Sequence, residues 1–239
     1  PEIVAPAADG TLYILDNTGA TIRIIELDES LSAPDQRDSK NHPKPGMLGA
    51  PTIADLDPDD GILDLIVAAL DGHIYVWDIN TGTLRNGFPK QLIDPAGGDY
   101  KARGELIATP AVADLNGDGI LEIVSGSSEF FAADPQPPGQ DDAPSNPGDL
   151  TANLLANTAG GTSRVYALDI DGNIVSGWPV ILAGLLPDVL PFVGPQHGVA
   201  VADFDNDGED EVIASITTGD TTLIESDGSS SGFTSQGVV

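Results

Sequence analysis

The sequence predicts an all-β fold, a β-propeller of four-stranded antiparallel blades with acidic DxDxDG loops, and three observations predict it. One phrase is written three times: GAPTIADLDPDDGILDLIVAAL from Gly49, ATPAVADLNGDGILEIVSGS from Ala108 and HGVAVADFDNDGEDEVIASI from His197. A second phrase, a turn and a strand, follows it: DGTLYILD from Asp9, DGHIYVWD from Asp71, SRVYALDIDG from Ser163 and a weaker TTLIESDG from Thr221. The third observation is that two units close on a further short segment, NGFPKQL from Asn86 and SGWPVIL from Ser176, and no segment has helical spacing. Four short segments, each bounded by turn residues and repeated at intervals of about 45 residues or more, are the mark of propeller blades.

Taken in order, the elements follow from period and composition. Pro1-Glu2-Ile3-Val4 resembles the end of the acidic phrase, as in Leu121-Glu122-Ile123-Val124. Residues 28–47 and 133–162, the second rich in Pro, Gly, Asp and Asn, read as irregular insertions, because the repeat resumes in register after each. The first strand of each unit is built from Gly, Ala, Thr, Pro and Val, as a strand crowded near a central axis requires. Leu65 to Leu70 and Glu122 to Val124 are β-branched and aliphatic runs that suit strands buried on both faces. His73 to Asp78 alternates, and Asp71-Gly72 ahead of it suits a tight hairpin. The closing Gln236-Gly237-Val238-Val239 resembles the start of the acidic phrase. Residues 1–239 therefore read as a single propeller or partial propeller of about 3.5 to 4 repeats. The expectation is a fragment of a longer protein; an equally economical reading has the two ends meeting to complete one blade.

Composition narrows the function. The chain has 38 acidic against 9 basic residues, a formal charge of −29, which repels phosphate backbones and anionic lipid heads and so disfavours nucleic acid and membrane surfaces. With 40% hydrophobic residues it still has the material for a core, so the charge does not mean disorder. The absence of cysteine removes disulfides, thiolate metal sites and cysteine nucleophiles. No run approaches the ~18–20 apolar residues of a membrane span. Beyond Arg164 there is no Lys or Arg, so the last third must neutralise its carboxylates in another way, and a cation is the obvious candidate.

The acidic loops offer places for it. In the second loop, Asp114, Asn116, Asp118 and Glu122 stand at positions 1, 3, 5 and 9, with Gly119 at position 6. In the third, Asp203, Asp205, Asp207 and Glu211 repeat this spacing around Gly208. Ca²⁺ takes six to eight hard oxygens at about 2.3–2.6 Å, and a tight turn of alternating acids supplies them, with the carbonyl of position 7, Ile120 or Glu209, as main-chain ligand. An EF-hand places its last acid at position 12 between helices; here the last acid comes sooner and opens a strand. Mg²⁺ is disfavoured, since it demands near-ideal octahedral geometry and keeps its waters. The first loop carries one extra residue, and its expected ligands are Asp55, Asp57, Asp59 and Asp64, with Asp60 competing for the place of Asp59. About three Ca²⁺ sites are expected. Asp and Asn also favour turns without any metal, but two strict copies and one near copy at the same place in a repeat argue against coincidence.

These loops, with Gly49-Ala50-Pro51 ahead of the first and EIV-type strands behind, resemble the FG-GAP/VCBS repeats of the integrin α-chain β-propeller and its bacterial relatives. The resemblance implies a calcium-binding propeller, usually extracellular, used for adhesion, for carbohydrate or protein recognition, or for structural support. The Phe-Gly pair of the family is not intact before Gly49, so the comparison extends to fold and metal and not to ligand.

Other features are weaker. His42, His73 and His197 lie in unrelated contexts and read as ordinary surface or strand histidines. No G-x-S-x-G elbow and no phosphate loop with Lys occurs. Trp77, Trp178, Phe88 and Tyr75 could stack on sugars, but their recurrence at fixed places favours filling the space between blades. Residues 149–162 read equally as a binding loop or a solvated insertion. The leading expectation is a secreted or cell-surface bacterial module, not an enzyme, that meets a protein or carbohydrate at the cell surface or assembles with other chains; millimolar calcium outside cells suits such loops. The alternative is a polysaccharide lyase-like enzyme on a calcium-binding propeller, against which the scarcity of Lys and Arg argues.

Overall fold

The computed structural model describes residues 2–31, 46–93, 102–131, 163–182, 198–215 and 221–233. Within them every strand pairing is antiparallel, and the one helical element among the described residues is a 3-10 turn at Glu29–Leu31. His42, His197, residues 32–45 and 132–162 of the two insertions, and the closing residues 234–239 lie outside the described residues.

Four sheets follow one another along the chain. The first has β1 (Ile3–Pro6), β2 (Thr11–Leu15) and β3 (Thr21–Glu26) in that order. The second has β4 (Thr52–Ala54), β5 (Asp64–Ala68), β6 (His73–Asp78) and β7 (Lys90–Gln91), each paired with the next. The third contains β8 (Ala102–Glu105), β9 (Ala111–Ala113), β10 (Glu122–Phe131), β11 (Ser163–Leu168) and β12 (Val180–Ile181). The fourth repeats the simple order with β13 (Val199–Ala202), β14 (Glu211–Ser215), β15 (Thr221–Ile224) and β16 (Ser230–Phe233).

The third sheet departs from the repeat in one way. Its longest strand, β10, has ten residues; β9 pairs with its start (Glu122–Val124) and β8 with its end (Ser128–Phe131), so two short strands share one edge. The Ala102–Glu105 stretch, ARGE, has no β-branched or aromatic residue to favour a strand, and this element was not legible in the sequence.

Side chains from alternate strand positions go to opposite neighbours, as the pleat requires. Leu65 and Val67 of β5, with Tyr75 and Trp77 of β6, pack on Leu12 and Ile14 of the first sheet. Ile66, Ala68, Ile74 and Val76, from the positions between, pack on Ile123, Tyr166 and Leu168 of the third. The other face of the third sheet puts Val124, Val165 and Ala167 against Val212, Ala214 and Ile224 of the fourth. Sheets covered on both faces read as continuous apolar runs rather than alternating ones, which is why β5 is buried at all five residues. The small-residue strands meet between sheets, β9 touching both β4 and β13, yet apart from the buried Ala113 they remain half-exposed.

The aromatic residues fill the spaces between sheets. Tyr75 and Trp77 stack with ring centroids 5.4 Å apart between the first and second sheets. Phe88 lies between the second and third, and Trp178, at the equivalent place one unit on, between the third and fourth. Phe88-Pro89 and Trp178-Pro179 are both cis, and the glycine ahead of each aromatic meets the Asp-Gly turn of the following unit. A Cβ on Gly87 would overlap the Asp171 carbonyl, and one on Gly177 the Asp227 carbonyl, so these backbones approach as only glycine allows.

Candidate metal centre

Each acidic loop joins two consecutive strands of one sheet: loop 1 (55–64) joins β4 to β5, loop 2 (114–122) joins β9 to β10, and loop 3 (203–211) joins β13 to β14. Loops 2 and 3 fold alike. The first acid grips the turn: Asp118 and Gly119 donate backbone N–H groups to Asp114 (3.1 and 3.0 Å), and Asp207 and Gly208 donate to Asp203 (both 3.1 Å). Asn116 and Asp205 accept from the residue two further on, and so do Asp118 and Asp207. The last acid reaches back, Glu122 accepting from Leu115 N–H at 2.9 Å and Glu211 from Phe204 N–H at 2.6 Å. Positions 4 and 6 have positive φ in both, 69° at Gly117 and 65° at Asn206, 87° at Gly119 and 97° at Gly208, which explains the Gly and Asn placed there.

This folding points several carboxylates at one point. In loop 3, Asp203, Asp205, Asp207 and Glu211 each bring an oxygen within 4.8 Å of the others, the one such group among the described residues. The donors are all hard oxygens, the chemistry that suits a divalent cation. Loop 2 has the same hydrogen-bond frame, with the Asn116 side-chain amide in place of one acid and donating to Glu122 at 3.2 Å. Burial pushes the Glu122 carboxyl up, and Asp118 and Asp114 add to it. The same holds for Glu211, with Asp205, Glu225 and Asp207 adding. A cation among these groups would reverse both shifts.

Loop 1 differs. The last acid keeps its role, Asp64 accepting from Leu56 N–H at 3.3 Å, and Asp57 accepts from Asp59 N–H at 3.1 Å. Among the described residues no turn N–H reaches Asp55, and its Oδ1 is buried without a partner. The extra residue gives Asp60 a turn of its own, with Ile62 N–H donating to it at 2.7 Å. Arg85 donates to Asp64 through Nε and to Asp60 through Nη2. Asp64 is fully buried, and burial pushes its carboxyl up against the pull of Arg85. Asp55, Asp57, Asp59 and Asp64, the expected ligands here, are thus not gathered as in loop 3, and Arg85 was not anticipated from the sequence.

Neighbouring loops touch. Leu121 of loop 2 donates its N–H to the Leu56 carbonyl of loop 1 at 3.0 Å, and Glu209 of loop 3 accepts from the Ser226 hydroxyl. His73 contacts Asp71, and the Tyr75 hydroxyl donates to Asp71 at 2.6 Å, so this histidine belongs to a small polar network within the second sheet.

Successive antiparallel sheets stacked face to face, three of them with an acidic turn between two consecutive strands, define an all-β repeat protein. The model of the FG-GAP-like repeat family matches residues 55–125, from the first acid of loop 1 to the strand behind loop 2. No curated protein matches the chain significantly. Among solved structures, the chain is similar to the C-terminal domain of PilY1 from Pseudomonas aeruginosa (TM-score 0.53, 15% identity, 94% of this chain and 38% of that one). It is similar in the same way to a europium-containing methanol dehydrogenase (TM-score 0.51, 15% identity, 96% and 38%). Similarity to the V. cholerae biofilm matrix protein Bap1 has a TM-score of 0.37 at 21% identity, over 96% and 34%. The chain thus spans less than two fifths of the length of these structures, and the likeness concerns fold alone. One of them is an enzyme, so the fold does not separate an enzyme from a binding module. No helix among the described residues is long and apolar enough to cross a membrane.

Proposed function

We propose that the chain is part of a calcium-stabilised β-propeller that works outside the cell as a non-enzymatic adhesion, recognition or assembly module, with a protein or carbohydrate ligand. The observation that carries this reading is the convergence of Asp203, Asp205, Asp207 and Glu211 in a chain of net charge −29. Four carboxylates this close repel one another unless a cation lies among them, and Ca²⁺ accepts an irregular set of many protein oxygens where Mg²⁺ does not. Calcium then acts as a folding ligand, stabilising by RT ln(1 + [Ca²⁺]/Kd), about 2.7 kcal/mol at a hundredfold excess over Kd. Loops of this kind fill at the millimolar calcium found outside cells. The reading is tested by thermal unfolding with 2 mM calcium (about the extracellular level) and with excess chelator: a higher Tm in calcium supports it, and identical curves overturn it.

A further inference from the structure

The second and third sheets are copies of one unit, so positions in one have counterparts in the other. After β6, Leu84 bridges back to Trp77, and Arg85 donates its N–H to the Val76 carbonyl at 2.8 Å. After β11, Ile174 bridges back to Leu168, and Val175 donates its N–H to the Ala167 carbonyl at 3.0 Å. Arg85 and Val175 therefore occupy the same place, two residues ahead of Gly87 and Gly177. Val175 packs against the apolar cluster between the third and fourth sheets. Arg85 turns its guanidinium to loop 1 and joins Asp64 to Asp60, with Nη2 at 2.7 Å from Asp60.

We infer that Arg85 is a built-in counter-cation for loop 1, standing where a calcium ion stands in loops 2 and 3. Calcium then governs the junction of the third and fourth sheets and leaves the loop of the second untouched. The statement about loops 2 and 3 rests on the calcium reading above; the statement about Arg85 does not.

Three further features of loop 1 agree. Its last acid is Asp64, one methylene shorter than Glu122 or Glu211, which leaves room for a guanidinium at the same buried place. Its first acid lacks the grip of turn N–H groups that aims Asp114 and Asp203, because the extra residue moves those groups away. An ion coordinated by Asp64 would also lie within a few ångströms of a fixed positive charge, and like charges at that range repel strongly in a partly buried site. Arg suits this role better than Lys, since its planar fork serves two carboxylates at once.

The test has two arms, both on the full chain. Calcium equivalents are counted by native mass spectrometry for the wild type and for Asp55→Asn/Asp57→Asn/Asp59→Asn. An unchanged count, expected at two, supports the inference; loss of one ion in the variant overturns it. In chelator, Tm is measured for wild type, Arg85→Met, Asp64→Asn and the double variant. Each single change is expected to lower Tm by ~5–15 °C, and the double by less than their sum; additive losses overturn the inference. Arg85→Lys, which keeps the charge and loses the fork, replaces Arg85→Met if that variant does not fold. If the wild type binds no calcium, the calcium reading fails, and the chelator arm alone decides the role of Arg85.

Discussion

Asp114 and Asp210 hold each other across two sheets: Asp114 N–H donates to the Asp210 carboxylate at 3.0 Å, and Asp210 N–H returns to the Asp114 carbonyl at 3.0 Å. Asp114 is the first acid of loop 2, and Asp210 sits between the position 7 residue and the last acid of loop 3. The ordering of one turn is therefore tied to that of the other. Asp210→Ala removes a charge-assisted acceptor and is expected to cost about 1.5–3 kcal/mol in chemical denaturation. Asp210→Asn keeps an acceptor oxygen and is expected to cost less.

Substitutions among the loop 3 acids should change sign with calcium. Without metal, Asp205→Asn and Asp207→Asn relieve repulsion among four converging carboxylates and raise Tm. With millimolar calcium the same variants lose ligands and fall below the wild type. Paired melting curves in calcium and in chelator read this crossing directly.

Stability without metal should rise as pH falls from 7 toward 5. Glu122 and Glu211 have folded-state pKa values above their ordinary 4.5, each chiefly through burial. A group raised in this way contributes stability that is complete below its unfolded pKa and lost as pH climbs through the folded one. Asp16 and Asp28 are lowered, chiefly by the hydroxyls of Thr18 and Ser30, so their contribution is present above 3.8 and lost below it. Metal-free unfolding measured from pH 3 to 8 should thus peak between these windows, near pH ~4–5. With calcium the low-pH side should be the less stable, because protons then compete with the ion.

Gly87 and Gly19 separate conformational strain from crowding. Both have positive φ, 87° and 84°, but a Cβ on Gly19 meets nothing within 4 Å while one on Gly87 overlaps the Asp171 carbonyl. Gly19→Ala should cost about 1–2 kcal/mol, the left-handed penalty alone. Gly87→Ala should cost clearly more, by equilibrium denaturation, because it also pushes the second and third sheets apart.

Trp178→Ala should open a cavity between the third and fourth sheets, where Trp178 is 7% exposed, and cost about 3–5 kcal/mol. Chelator should deepen the loss, since loops 2 and 3 brace the same junction.

Much of the molecule was legible because its signals are local. Period-two alternation set β6 at His73–Asp78, and Asp, Asn and Gly at fixed offsets marked turns whose φ values only those residues tolerate. The recurrence of Phe88 and Trp178 at one place in the unit placed them between sheets, where they lie. The sequence by itself determined the repeat, the strands of the repeated unit though not β8, and the position of each acidic loop, since each depends on neighbours within about ten residues. Only the tertiary structure decided which distant residues meet each loop. Asp64 meets Arg85 across 21 positions and Asp114 meets Asp210 across 96, and no local pattern encodes a contact between residues that the packing of sheets brings together.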